Sequence, residues 1–388
     1  MSEPTIPYEA GGGRAAGRDN GDWQLAAKRF ALARLRLYGA QTAVGLAFPF
    51  LLWYLGWAGG LDEALAGVVS QRWLQILLFV AAYQGISAVL FLPFSWYGGF
   101  HLQHRFGLSR QTGRDWAVDW AKSTLLGGVF FLAGMESFYL LIDILPSDWW
   151  WVLATGLGLL AVLLTFIAPV LLLPIFYRSS PLEDRELAER IRQLAERAGT
   201  RISKVCTIDM SRRTVAANAA LTGMGRTRRV LLGDTLLREF SPDEVESVVA
   251  HEIGHHVHGD IWKGVLLEVA GIWAGLFLLQ WLVRPGMVGL GLGDLSRLSN
   301  LPLLVLLGEV ASLATMPLAN AISRRHEAAA DAFAARLSRN PAAYSDALYR
   351  LARQNLSELW PPRWVELLFY THPAIGRRMA RVAEAEGR

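Results

Sequence analysis

The sequence predicts a mainly α fold of membrane-spanning helices, with a small α+β segment set between the fourth and fifth spans. Three observations carry that prediction. Of 388 residues, 53% are hydrophobic and 15 are Trp, well outside the norm for soluble chains. Six segments stay apolar over a length that crosses a hydrocarbon core of about 30 Å, roughly 20 helical residues each. Between the fourth and fifth lies a long polar stretch in which helix-start signals and β-branched runs alternate.

Taken in order, residues 1–22 are polar and Gly-rich and read as a disordered tail, with no cleavable signal peptide. From Trp23 a basic amphipathic helix is expected to lie along the membrane surface. It carries Trp23, Ala27, Phe30 and Leu37 on one side and Lys28, Arg29 and Arg36 elsewhere. Spans follow at 37–58, 73–94, 124–145 and 149–173, so 23–173 forms an N-terminal membrane domain. Residues 174–260 are the first part of a soluble domain, 261–321 hold two further spans (265–283 and 301–321), and 322–388 form its second part.

Basic residues set the orientation. Of 38 Lys and Arg, 34 fall before residue 37, in 95–123, in 174–260 and after 321. Positive charge accumulates on the cytoplasmic side of spans, so both termini and the soluble segment are expected there. The formal charge of +4 then calls for no nucleic-acid partner. A single cysteine, Cys206, excludes an intrachain disulfide and a cysteine-built metal site.

Within the soluble segment, Ser180-Pro181-Leu182-Glu183 reads as a helix start, continued by Leu187, Ile191, Leu194 and Ala198 until Gly199 stops it. Strands are expected at 202–208, 214–221 and 229–232. A second start is stronger. Ser241 is placed to cap, Pro242 to occupy the first helical position and Glu244 to close a capping box, with Val245, Val248, Val249 and Ile253 as the apolar stripe.

That helix carries His251-Glu252-Ile253-Gly254-His255. Residues four apart project from one helix face, so His251 and His255 can present two imidazole nitrogens to one ion. Glu252 lies beside them as a base rather than a ligand. A chain this long shows such a pattern by accident on the order of once in a hundred. The chemistry expected is peptide hydrolysis by a water whose pKa a tetrahedral zinc lowers to about 7. A third ligand has to come from elsewhere. His256, His258 and Asp260 are close in sequence, but His256 is turned about 100° away and His258 lies a further turn along. The better source follows the sixth span, where Arg325-His326-Glu327-Ala328-Ala329-Ala330-Asp331 is expected to open a helix. Glu327 would ligate there, and Asp331 would orient a ligand histidine. Glu136, Asp143, Glu268 and Glu309 fall inside spans and favour a wet cavity. His101 and His104 read as part of a basic helix rather than a metal pair.

The ordered set of motifs resembles the type I CAAX prenyl protease family, membrane zinc metalloproteases that include the yeast a-factor converting enzyme. It comprises Pro174-Ile175-Phe176-Tyr177 through Ser180-Pro181-Leu182, Asn218-Ala219 with Gly223, Val230 to Leu236, His251 to His255, Glu327 to Asp331, and Thr371-His372-Pro373 with Arg377. The resemblance implies a multi-span helical membrane barrel enclosing a water-filled chamber, closed at one end by a glutamate-type zincin (α+β) metalloprotease domain with one zinc ion per chain. It implies that Asn218 sits on a substrate-binding edge strand, that His372 stabilises the oxyanion, and that Arg377 anchors this loop or contacts substrate. The implied partners are the lipid bilayer and a peptide or protein substrate, prenylated or membrane-associated. Eukaryotic members are usually described with seven spans, against six here. The tail Glu384-Ala385-Glu386-Gly387-Arg388 also lacks a retrieval signature, so a prokaryotic plasma membrane is expected.

Three rival readings exist. One is a heat-shock-type quality-control metalloprotease. Another is an intramembrane protease, against which Asp243, Glu244, Glu246 and Asp260 around the motif weigh. The third is a non-catalytic scaffold descended from a protease, against which an intact Glu252 weighs.

Overall fold

The computed structural model describes residues 16–223, 225–282 and 294–386. Among them, six helices are long and apolar enough to cross a membrane, and each overlaps an expected span, although the first ends at Tyr54 and residues 57–58 of its expected span belong to α2. In chain order the first half comprises α1 (Ala16–Tyr54), α2 (Trp57–Val68), α3 (Arg72–Trp96), α4 (Leu102–Arg105), α5 (Gly113–Ile144), α6 (Trp149–Leu171) and α7 (Leu173–Phe176). The second comprises β1 (Ser179–Pro181), α8 (Arg185–Arg197), β2 (Lys204–Ile208), β3 (Ala219–Thr222), β4 (Arg229–Gly233), α9 (Asp234–Glu239), α10 (Pro242–Val257), α11 (Asp260–Leu282), α12 (Leu301–Ser338), α13 (Pro341–Gln354), α14 (Arg363–Phe369) and α15 (Ile375–Glu386).

The spanning helices form a wall one helix thick. α12 packs on α1, α3 on α5, α5 on α6 and α6 on α11, with a slighter contact between α1 and α3. No span buries more than 22% of its most apolar window inside the protein, so both faces of the wall stay free of other helices. A bundle with a filled centre would bury far more. At one end the wall is closed by a core of Ala58, Phe79, Val80, Tyr139, Trp149 and Leu298, where Trp149 Nε1 donates to Gln280 at 2.6 Å. Of the acidic residues inside spans, Asp143 approaches Arg72 at 3.8 Å, while Glu268 and Glu309 stand exposed on the wall.

The soluble domain closes the other end. Its sheet has the order β1-β2-β4-β3, with β2 and β4 parallel and both edge strands antiparallel to their neighbours. One face packs on α8 and α10 through Val205, Leu221, Val230, Leu232, Val249 and Ile253. The other face, with Cys206, Ile208 and Leu231, meets Leu173 and Tyr177 at the end of the membrane domain.

Four expectations change. Ser180 does not start a helix: Ser179–Pro181 pairs with Thr207 and its neighbours as edge strand β1, and Asp184 caps α8 by accepting from Leu187 N at 2.9 Å. An aspartate cap competes well with serine, and proline is tolerated on an edge. The stretch after Trp23 is not a separate surface helix. It is the start of α1, and its stripe of Trp23, Ala27 and Phe30 is buried by Ala352, Leu356 and Leu102. Residues 325–331 do not open a helix either, because no breaker separates them from the sixth span and α12 runs straight out of the membrane. Finally, α1 begins at Ala16, inside the segment read as a tail; residues 1–15 and Val283 lie outside the described residues.

Candidate active site

The α10 start is built as its residues dictate. Ser241 Oγ accepts from Glu244 N at 3.4 Å and Glu244 returns the bond to Ser241 N at 2.7 Å, with Pro242 in the first turn. The helix is therefore fixed two turns before its histidines. Gly254 between them has a separate role. A Cβ there would stand 3.2 Å from Ala330 Cα, so glycine lets α12 cross α10 closely enough to deliver Glu327.

His251, His255 and Glu327 each offer a ligand atom, all within 4.8 Å of one another, and they form the one such group of metal-ligating type among the described residues. The two Nε2 atoms are 3.1 Å apart, and the Glu327 carboxylate oxygens lie 3.3 Å from each. Carboxylates stand behind both rings. Asp331 Oδ1 is 3.0 Å from His251 Nδ1, and Asp260 Oδ2 is 3.0 Å from His255 Nδ1. Such acceptors keep a proton on each Nδ1, which turns both Nε2 lone pairs inward. Glu327 Oε2 is buried without a hydrogen-bond partner. Converging lone pairs and an orphaned carboxylate oxygen form an acceptor-only cluster, so the residues fit a bound cation. The same carboxylates draw positive charge to both rings. Burial pushes both imidazoles down, yet the carboxylates around them more than offset it, raising His251 above its ordinary range and His255 to about 9.

Glu252 points to the sheet side of this cluster. Burial raises its carboxyl above the ordinary range, while the two histidines pull it back and the backbone N–H of Leu221 on β3 helps to hold it charged. The base therefore sits at the middle of an edge strand. Asn218, just before that strand, is exposed and accepts from Ala219 N at 2.9 Å. His372 lies on the loop between α14 and α15 with Nε2 3.1 Å from Glu327 Oε1 and Nδ1 2.8 Å from Thr371 Oγ1. Arg377 does not join the cluster. It pairs with Glu366 of α14, whose other oxygen accepts from Ala374 N at 3.0 Å, and its guanidinium covers Trp360. These contacts place it beside the His372 loop.

Two residues near the cluster escaped the sequence reading, and a third takes a different role from the one weighed for it. Arg378 is buried and grips Asp331 with Nε at 2.9 Å and a terminal nitrogen at 2.7 Å. Tyr344 donates to Asp331 at 2.6 Å and stands 3.0 Å from His251 Nδ1. Asp260, weighed as a ligand, instead backs His255. A signal for Arg378 was present: Ile375, Met379 and Val382 form the apolar stripe of α15, and 378 falls on that face whereas 377 does not. Tyr344 falls on the apolar stripe of α13 with Ala347, Leu348 and Leu351, so the sequence marks it as core but not as a partner of Asp331. The two nitrogens of His104 face the carbonyls of Phe100 and Gln111 at 2.8 and 2.9 Å.

Residues 181–386 match peptidase family M48, and residues 24–178 match the CAAX prenyl protease N-terminal region of five membrane helices. The chain belongs to peptidase family M48. Four spans and the short α2 fall within the second match. Among relatives, the Bacillus subtilis protein named uncharacterized metalloprotease YhfN is 32% identical over 354 residues, covering 88% of this chain and 82% of that one. CAAX prenyl protease 1 of Saccharomyces cerevisiae is 36% identical over 182 residues, which span 47% of this chain and 40% of the yeast protein. The crystal structure of S. mikatae Ste24p superposes with a TM-score of 0.83 at 25% identity, over 93% of this chain and 89% of that one. The M48 chain is thus an integral, multi-pass membrane metalloprotease, a helical membrane chamber joined to a protease domain, and a metal cofactor comes with the family.

Proposed function

We propose that this protein is a zinc endopeptidase of CAAX prenyl protease type, with its catalytic residues drawn from both parts of the soluble domain. The observation that carries the reading is the convergence of His251, His255 and Glu327 beside His372, with Glu252 between them and a free sheet edge. His251, His255 and Glu327 would hold one zinc ion, two imidazoles and a carboxylate being a known catalytic donor set. When bound, zinc supplies Lewis-acid polarisation of the scissile carbonyl and of water.

The remaining work falls to the chain. Glu252 takes the proton of the attacking water and returns it to the leaving amine, a task suited to a carboxyl raised by burial. His372 donates from Nε2 to the oxyanion that develops in the transition state. Asp331 and Asp260 keep the Nδ1 protons in place, so that neither imidazole turns. Strand β3 and Asn218 bind the substrate as an added strand through main-chain hydrogen bonds.

The substrate is proposed to be a peptide or protein that is prenylated or membrane-associated. The names of the yeast relative and of the N-terminal family region support this, as does a protease domain seated on a membrane chamber. The concentration of basic residues in the soluble parts supports a cytoplasmic active site, and the likeness to a Bacillus subtilis protein over most of the chain supports a prokaryotic plasma membrane.

Replacing Glu252 by Gln tests the mechanism. The variant is expected to keep its zinc and lose cleavage of a fluorogenic peptide. Undiminished cleavage would refute the role given to Glu252. Matched prenylated and unprenylated CAAX peptides then test the substrate: the prenylated one is expected to be cut faster, and equal rates would remove that part of the proposal.

A further inference from the structure

On its membrane-facing side the sheet leaves a cavity of about 430 Å³, within the range of about 300–1,000 Å³ typical of ligand pockets. One wall is the sheet: Ala220 and Thr222 of β3 with Leu231 of β4. The other is the end of the membrane domain, chiefly Leu172, Leu173 and Phe176. Arg229 of β4 donates to Pro169 O at 2.6 Å and ties the two walls together. The lining is mostly apolar, and Thr222 Oγ1 is buried without a hydrogen-bond partner.

The position of this cavity follows from the phase of β3. Gly233 N donates to Asn218 O at 2.9 Å, and the register runs Ala219 to Leu232 through Thr222 to Arg229. In an antiparallel ladder bonding alternates, so 218, 220 and 222 bond inward to β4 while Ala219 and Leu221 turn their N–H and C=O groups to the free edge. Side chains alternate too. Ala219 and Leu221 enter the core against α10, Ala219 also bordering the cavity, whereas Asn218, Ala220 and Thr222 take the opposite phase and line it. The outward N–H of Leu221 lies against Glu252. An extended peptide added to this edge therefore passes the catalytic base, and every second side chain of it points to the cavity side.

We infer that this cavity is a substrate subsite for a large apolar side chain, set one strand layer away from the metal cluster. Ala220 and Leu173, one from each wall, are its specificity-determining residues. The inference rests on the endopeptidase reading above and adds to it a preference that alternates along the substrate. Ala220 is the smallest of the strand residues in the cavity-facing phase, and a short side chain there leaves the space open. A polar or charged substrate residue would have to give up its hydration among Leu172, Leu173 and Phe176, which costs free energy, while an apolar one gains by burial.

The test uses the full-length, zinc-loaded protein and a set of quenched fluorogenic peptides that differ only by Phe or Ala at one position, scanned along the substrate. The wild type is expected to favour Phe by roughly tenfold or more in kcat/KM at one position near the cleaved bond, and again two residues away if the cavity spans both. Filling the cavity by Ala220→Trp should bring that ratio close to one, and Leu173→Trp should do the same from the opposite wall. The Leu173 variant alone carries the test if the Ala220 variant fails to fold, as judged by thermal unfolding and zinc content. A wild-type ratio near one at every position, or a preference that survives both fillings, would overturn the inference while leaving the protease reading intact. Absence of Glu252-dependent cleavage of every peptide would remove that reading, and the inference with it.

Discussion

His251 and His255 stand one turn apart on the same helix, yet they are held in different ways. His251 is sealed inside the soluble domain. Its side chain is 9% exposed, and behind Asp331 stand Arg378 and Tyr344, from α15 and α13. His255 is 23% exposed, and its carboxylate, Asp260, is the first residue of α11, the helix that re-enters the membrane. Lys263 at 3.0 Å and His326 at 3.9 Å are the basic groups on that side. One half of the cluster is thus fixed by a buried charge network, the other by the base of the membrane wall. Glu327 joins them, because it lies on α12 just beyond the sixth span. The site is where the soluble and membrane parts are fastened together, so its geometry depends on both.

The contrast can be broken or sharpened by substitution. His372 belongs to neither half, and His372→Ala should lower the single-turnover cleavage rate by about 10²–10³ with zinc content unchanged, the effect of losing one oxyanion donor. A fall in zinc content instead would make it a ligand. Next come the two supporting carboxylates. Asp331→Asn should weaken zinc affinity by up to about a hundredfold in chelator competition, and Asp260→Asn by nearer tenfold, since only Asp331 also balances a buried guanidinium. The reverse order would contradict the asymmetry drawn here. Gly254→Val, which crowds Ala330 where α10 meets α12, should cost about 1–3 kcal/mol in thermal unfolding. The smallest effect is expected from Arg377→Ala: a loss of about tenfold or less in kcat with KM unchanged, because it fixes a loop through Glu366. A change in KM alone would place it on the substrate.

Much of this could be read from residue order, and the reasons are local. Ser241, Pro242 and Glu244 specify a helix start by themselves, and His251 and His255 share a face because of helical geometry alone. The six spans are equally local, set by length and apolarity. What escaped reading depends on tertiary choice. Ser180-Pro181 and Asp184 are two acceptable helix starts four residues apart, and pairing with β2 decides between them. The stripe Trp23, Ala27, Phe30 suits lipid or protein equally, and Ala352 and Leu356 claim it only in the folded chain. Tyr344 reads only as part of the apolar stripe of α13, and Asp260 was visible as an acid near the cluster though not as the partner of His255. Both find their roles only once α13 and α11 are placed.

The claim on which the rest stands is that His251, His255 and Glu327 hold a single zinc ion. Counting zinc per chain in the purified protein and in Glu327→Ala tests it directly. One ion per chain is expected in the wild type and in Glu252→Gln, and almost none in Glu327→Ala. Full occupancy in Glu327→Ala would contradict the account.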